Sequence, residues 1–222
     1  MQLAGSGSEP ISLPRPRWLH AAMKRLIDLV VGLALLTFLA PLILLIVAAI
    51  RLDSPGPALY RQRRIGKNGV LFEMWKFRSM HSDSDDRNHR EAAAAWFAGD
   101  AAPGGYKAKR DPRVTRVGRL LRRTSLDELP QVFNVVRGEM SLVGPRPAIP
   151  YELAYYQTAY FERQAVKPGM TGLWQISGRD RLAAPQMMAL DLRYVREASV
   201  WLDLKILALT VPALLGLAPK GV

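Results

Sequence analysis

The chain has 222 residues, enough for one domain with a core of its own. It carries 31 Lys and Arg against 19 Asp and Glu, a formal net charge of +12, so acidic partners are expected: anionic lipid, nucleotide or nucleic acid. It has no cysteine, which excludes disulfides and thiolate metal sites, and its three histidines (His20, His81 and His89) are too scattered for a metal cluster.

Residues 1–19 are rich in Gly, Ser and Pro and read as a disordered tail. They do not read as a signal peptide, because the apolar run starts late and no small-residue cleavage site follows it. From Leu29 to Ile50 the chain is almost entirely apolar, and a run of roughly 20 residues is long enough to cross a bilayer. Pro41 sits near its middle, where a missing backbone donor and a steric clash bend or break a helix. Basic residues flank the run on both sides: Arg15, Arg17, Lys24 and Arg25 before it, Arg51, Arg61, Arg63, Arg64 and Lys67 after it. Two readings fit, a kinked single span and a re-entrant helix–break–helix hairpin over residues 20–52. Basic flanks belong in the cytoplasm, and only the hairpin puts both there. Backbone groups freed at the proline then need local partners, for which Thr37 is a candidate.

Asp53-Ser54-Pro55-Gly56-Pro57 is turn chemistry. Two short strands follow, Ala58–Arg64 and Val70–Phe77, joined by the Gly66–Gly69 loop. Alternation turns Lys76 and Arg78 to one face and Phe77 to the other. Residues 81–104, with an Ala-rich helix around Glu91–Phe97, read as a surface insertion with little chemistry. Val114–Arg123 reads as a basic amphipathic helix with Arg116, Arg119 and Arg123 on one face, suited to acidic headgroups or to substrate phosphates.

Ser125-Leu126-Asp127-Glu128 fits an S-x-x-E capping box, in which Ser125 and Glu128 cap a helix and Asp127 favours its dipole. A second reading stands beside it. A helix N-terminus also favours bound phosphate, keeps an Asp ionised as a nucleophile requires, and two adjacent carboxylates suit Mg²⁺. Arg146, held between Pro145 and Pro147, would then neutralise a phosphoryl group. Val200–Leu217 is apolar but contains Asp203, Lys205 and Pro212; an interfacial amphipathic helix and a core helix both fit.

Eight short motifs run in order: Lys24–Asp28, Ser54–Pro57, Arg61-Gln62, Lys76–Met80, Asp111–Thr115, Ser125–Gln131, Gly138–Pro147 and Lys167–Gln175. With them the chain resembles the bacterial sugar transferase family, monotopic phosphoglycosyl transferases acting on polyprenyl phosphate, and in particular its short exopolysaccharide-priming members. The resemblance implies an α+β, predominantly helical fold. Its parts are an N-terminal re-entrant membrane hairpin broken at Pro41, a small β-hairpin, and amphipathic interfacial helices around a cytosolic active site. The division it implies is a tail (1–19), the hairpin (20–52), a catalytic domain (53–199) and a C-terminal interfacial helix and tail (200–222), the layout of a minimal catalytic unit.

The implied reaction moves a sugar-1-phosphate from a UDP-sugar to undecaprenyl phosphate and releases UMP. Asp127 matches the nucleophile that forms a phospho-sugar intermediate, and Glu128 matches its partner, with Mg²⁺ held by Asp127 and Glu128. Lys76, Arg78 and Arg146 are candidate phosphate contacts; Thr171, Trp174 and Gln175 are candidates for the nucleotide or sugar pocket. The implied location is the cytoplasmic face of the bacterial inner membrane, among its phospholipids, with no nucleic-acid partner; large members form dimers, so a homodimer is among the states allowed. The competing expectation is a membrane-tethered basic module that binds lipid or nucleic acid without catalysis. It accounts for the arginine-rich helix but not for the acid pair or the Pro-Arg-Pro turn.

Overall fold

The computed structural model describes residues 18–81, 87–100 and 111–214. The tail read from residues 1–19 lies outside them apart from its last two positions, as do residues 215–222.

Helix α1 (Trp18–Phe38) and helix α2 (Ala40–Asp53) meet at a 60° bend. Pro41 is the second residue of α2 and has no N–H for the helical bond one turn back. The ladder is carried past it by Leu39 N–H to Leu35 O (2.9 Å) and Ile43 N–H to Leu39 O (2.8 Å). The Thr37 hydroxyl does not serve the break as expected. It donates to Leu33 O at 2.9 Å, a back-bond within its own turn that itself favours bending. Among the described residues no single helix is long and apolar enough to cross a membrane; the bent pair passes that test only together.

Both feet of the pair stand on one body. Lys24 donates to Val143 O (2.9 Å), to the Tyr194 hydroxyl (3.1 Å) and to Asp203 (2.8 Å). Arg25 donates to Val135 O and Val136 O, and buried Asp28 accepts from Ser141 Oγ and the Leu142 N–H. Two cations of the basic flank are therefore engaged by the fold rather than solvated. At the other foot, Ile46 and Ile50 of α2 pack with Ala58, Phe77 and Leu121. Between the feet the side chains are apolar and bare: Phe38 is 82% exposed and Leu44 69%.

Strands β1 (Leu59–Ile65) and β2 (Leu71–Phe77) pair antiparallel from Leu59↔Phe77 to Ile65↔Leu71, across a turn in which Asn68 takes φ 56°. Phe72, Met74 and Lys76 point one way by alternation, and Phe77 the other. Helix α3 (Arg87–Ala98) is longer than the sequence suggested. Helix α4 (Arg116–Thr124) starts at Thr115, whose hydroxyl accepts from the Gly118 N–H, while Asp53 accepts from the Val117 N–H. Helix α5 (Gln131–Arg137) is tied to β2 by fully buried Asn134. Its amide accepts from the Trp75 N–H at 3.0 Å and donates to Glu73 O at 2.7 Å, filling backbone positions that a third strand would otherwise fill.

Strands β3 (Ser141–Val143) and β4 (Gly169–Thr171) are parallel. At their contact a Cβ on Gly144 would run into Lys167 O and the Gly169 nitrogen, and one on Gly169 into the Gly144 nitrogen, so both positions need glycine. Helix α6 (Leu173–Ser177), helix α7 (Ala184–Glu197) and helix α8 (Val200–Leu214) complete the domain. The main core joins Phe72, Met74, Val135, Met140, Leu142, Leu173, Tyr194 and Ile206. Helix α8 buries Asp203 and Ile206 in the domain, as the core reading expects, while Trp201 is 78% exposed and Val211 also faces outward.

Arg78 departs from expectation. It lies one residue past β2 and is buried, with its guanidinium donating to Pro55 O (2.5 Å), Ser54 O (2.6 Å), Ser54 Oγ (3.0 Å) and Ile50 O (3.4 Å). It lines none of the cavities around the acids. Its work is to hold the carbonyls that end α2. Charged hydrogen bonds contribute roughly 1.5–3 kcal/mol each, and a stranded carbonyl costs a similar amount. Arg78→Ala should therefore lower the unfolding free energy by about 3 kcal/mol, measured by denaturant titration in detergent. Unchanged stability with lost turnover would return Arg78 to the phosphate role.

Candidate functional site

The centre is the turn between α4 and α5. Ser125 ends α4 in the left-handed region (φ 57°), and Leu126–Glu128 form one 3-10 turn. The capping box does not form. Ser125 makes no side-chain cap bond and instead accepts from the Arg179 guanidinium at 3.0 Å, while the Glu128 carboxylate takes Lys76 Nζ at 3.0 Å. Pro130 precedes α5, so the acids stand ahead of that helix rather than on its first turn.

Glu128 opens onto a cavity of about 120 Å³. Its polar lining includes Arg64, Lys76, Gln131, Arg146, Gln175 and Arg179; Trp96 and Trp174 add aromatic wall. Four cations thus face one carboxylate, a field suited to an anion bearing several charges. Asp127 is half-buried and lines neither this cavity nor the apolar groove beside it, whereas Glu128 lines both.

Arg146 reaches the cavity from the turn after β3. Its two terminal nitrogens donate to the two oxygens of Glu152, at 2.8 and 3.0 Å, and Glu152 also accepts from the Ile149 N–H. Arg64 fixes the same turn by donating to Pro147 O at 2.8 Å. Behind it, buried Asp191 pairs with Arg163 and accepts from the Arg146 N–H. Burial raises the Glu152 carboxyl, but the Arg146 charge and hydrogen bonds, then Arg64, outweigh it and hold the group down at about 2. At Asp191 burial prevails over the Arg163 charge and pushes the carboxyl up to about 6; one of its oxygens has no hydrogen-bond partner.

Of the residues singled out by sequence, Glu128, Lys76, Arg146, Trp174 and Gln175 meet at this cavity. Thr171 does not: it lines the groove, and its hydroxyl pairs with that of Thr210 at 2.8 Å. Trp174 Nε1 and Gln175 Oε1 are buried without hydrogen-bond partners. Sequence reasoning missed Arg64, Trp96, Gln131 and Arg179. Trp96 sits in the stretch read as an insertion with little chemistry; it is buried, and its indole N–H donates to Leu182 O at 3.2 Å. Arg179 follows Ser177-Gly178, takes a left-handed backbone (φ 52°), and donates to Ser125 Oγ.

For a metal, hard oxygen donors fit. Among the described residues no three His, Asp or Glu converge, so Asp127 and Glu128 would need phosphate and water oxygens to complete a Mg²⁺ shell, which is the usual pattern for that ion.

Comparison with known proteins supplies the family. The pattern described as bacterial sugar transferase matches residues 19–216. An exopolysaccharide production protein ExoY of Rhizobium meliloti is 40% identical over 218 residues, 94% of each chain. An undecaprenyl-phosphate glucose phosphotransferase of Komagataeibacter xylinus is 46% identical over 201 residues, and the match covers 85% of this chain but only 35% of that one. A UDP-glucose:undecaprenyl-phosphate glucose-1-phosphate transferase of Caulobacter vibrioides is 43% identical over 210 residues, 91% of this chain and 73% of that one. The chain belongs to the bacterial sugar transferase family.

The two buried carboxyls set an acid response. Glu152 sits below its ordinary 4.5, so its contribution is complete above about pH 4.5 and is lost as pH falls toward 2. Asp191 sits above 3.8, so its contribution is complete below about pH 4 and is lost as pH rises through 6. Glu152→Gln should remove up to about 3 kcal/mol at neutral pH and flatten the stability profile between pH 2 and 4.5. Chemical denaturation across pH checks it, and an unchanged acid limb would mean that Arg146 does not hold Glu152 ionised.

Proposed function

We propose that this chain transfers a sugar-1-phosphate from a UDP-sugar to undecaprenyl phosphate, releasing UMP, as the first step of exopolysaccharide assembly. The observation that carries the reading is the cavity in which Lys76, Arg64, Arg146 and Arg179 face Glu128 one residue from Asp127. A diphosphate suits such a site, and the relatives named above act on undecaprenyl phosphate or in exopolysaccharide production.

In this reading an Asp127 carboxylate oxygen attacks the β-phosphorus of the UDP-sugar. The bond from that phosphorus to the bridging oxygen breaks, and UMP leaves with the electron pair. A phosphate oxygen of the lipid then attacks the same phosphorus and Asp127 departs as carboxylate, leaving the sugar on a lipid-linked diphosphate. Lys76 and Arg146 offset the charge of the reacting phosphoryl group, Glu152 and Asp191 hold the Arg146 turn, and Trp174 and Gln175 offer unpartnered groups to the nucleotide or sugar. Mg²⁺ on Asp127 and Glu128 would supply further charge neutralisation at the diphosphate. A second reading makes Glu128 the nucleophile, because Glu128 rather than Asp127 lines the cavity.

One experiment separates the readings. The enzyme incubated with UDP-sugar and Mg²⁺, without lipid, should form a phospho-sugar adduct on the peptide containing Asp127. Asp127→Asn should abolish adduct and UMP release, and EDTA should suppress both reversibly. An adduct mapped to Glu128 would establish the second reading, and no adduct with any UDP-sugar would sink both.

We also infer that α1 and α2 dip into the cytoplasmic leaflet and return. Both feet pack on one domain, the apolar bend protrudes between them, and the proline break offers the turning point. Cysteines introduced at positions 20 and 60 should label from the same side of sealed vesicles; labelling from opposite sides would establish a span.

A further inference from the structure

Beside the polar cavity runs a groove of about 200 Å³. Its walls are apolar: Leu129, Leu142 and Met170 on one side, Leu207, Ala213 and Leu214 of α8 on the other. The three hydroxyls in the wall are already engaged: Ser125 accepts from Arg179 at 3.0 Å. Thr171 and Thr210 bond each other, and Thr210 donates to Ile206 O at 2.7 Å. Only one part of the lining carries charge, where Glu128, Gln175 and Arg179 belong to the groove and to the polar cavity alike. Leu207, Thr210 and Leu214 recur at i, i+3 and i+7, so the groove follows one face of α8 for roughly 10 Å. Leu214, at the far end of that face, is 42% exposed, and the outer side of α8 is apolar and bare at Trp201 and Val211.

We propose that this groove holds the phosphate-proximal isoprene units of the polyprenyl phosphate acceptor, with Arg179 receiving its phosphate. The proposal rests on the transfer reaction above and adds to it a separate acceptor site. Three features select this occupant. The charged end carries a guanidinium, complementary to a lipid phosphate. That end opens onto the cavity proposed for the donor, so an acceptor phosphate seated there lies beside Glu128. The volume is smaller than the roughly 300–1,000 Å³ of sites that enclose a whole ligand, which suits the head of a long chain whose remainder stays in lipid. Two features aim Arg179 at the junction. One is its left-handed backbone, uncommon for a residue with a side chain, and the other is its bond to Ser125.

The test combines binding and kinetics. A polyprenyl phosphate with a diazirine in its first isoprene unit, irradiated with the enzyme in nanodiscs, should label peptides containing Met170 and Leu207–Leu214. Undecaprenyl phosphate should compete, and a diacyl phospholipid should not. Ala213→Phe, which fills the groove, should cut labelling at least fivefold. It should also raise the KM for undecaprenyl phosphate at least tenfold while the KM for the UDP-sugar stays within twofold, which doubles as the check on folding. Equal competition by diacyl phospholipid would make the groove a site for structural lipid and overturn the proposal. So would labelling elsewhere, or an unchanged acceptor KM in a groove-filled enzyme. Labelling needs no turnover, so a labelled but inactive enzyme would sink the transfer reading and leave the groove assignment standing.

Discussion

Charge buried without a partner is among the most expensive things a fold can contain, and helix α1 brings three charges into the domain. Lys24, Arg25 and Asp28 all lie in its N-terminal half, each finds its partners on other elements of the domain, and those partners set its register. Lys24 gathers Val143 at the end of β3, Tyr194 of α7 and Asp203 of α8; Asp28 takes Ser141 and Leu142 at the start of β3. Everything around the site follows from that clamp. The end of β3 leads into the turn that presents Arg146. The position of Asp203 places the 207–214 face of α8 against β4. The apolar bend of α1 and α2 is left pointing away from the domain, because both of its feet are committed.

The site itself is assembled from elements that are distant in sequence. Lys76 meets Glu128 across 52 positions, and Arg179 meets Ser125 across 54. What brings the first pair together is Asn134, whose amide pins α5 to the backbone of β2. A cavity with a surplus of cations would repel itself without internal acids. Glu152, held ionised by Arg146, and Asp191, paired with Arg163, supply that counter-charge from behind the wall and leave the cationic surface toward the cavity.

Several cations that look alike in the sequence have separate uses here. Arg78 and Lys76 are two residues apart, yet one closes the end of α2 and the other faces the acid; the strand ends between them, so alternation no longer applies. Ser125 and Glu128 have the spacing of a capping box, yet the chain leaves α4 in a left-handed step and Pro130 postpones the next helix, so both side chains are released to Arg179 and Lys76. Local spacing describes what a segment can do alone. It says nothing of which partner arrives from elsewhere.

The amino-acid order alone shows the apolar run and its break at Pro41, the β-hairpin, the basic helix ending before the acid pair, and the family through the ordered motifs, because each depends on neighbours within a few residues. It also singled out Glu128, Lys76, Arg146, Trp174 and Gln175, which do meet. Long-range packing, by contrast, commits Arg78 to α2, sets Thr171 in a groove and brings Trp96 and Arg179 to the cavity wall. It also decided that Glu128, rather than Asp127, borders both compartments. Those outcomes depend on which distant backbone carbonyl or carboxylate satisfies a buried polar group. That choice is made by packing across the whole domain, where the cost of an unpaired group outweighs any local preference.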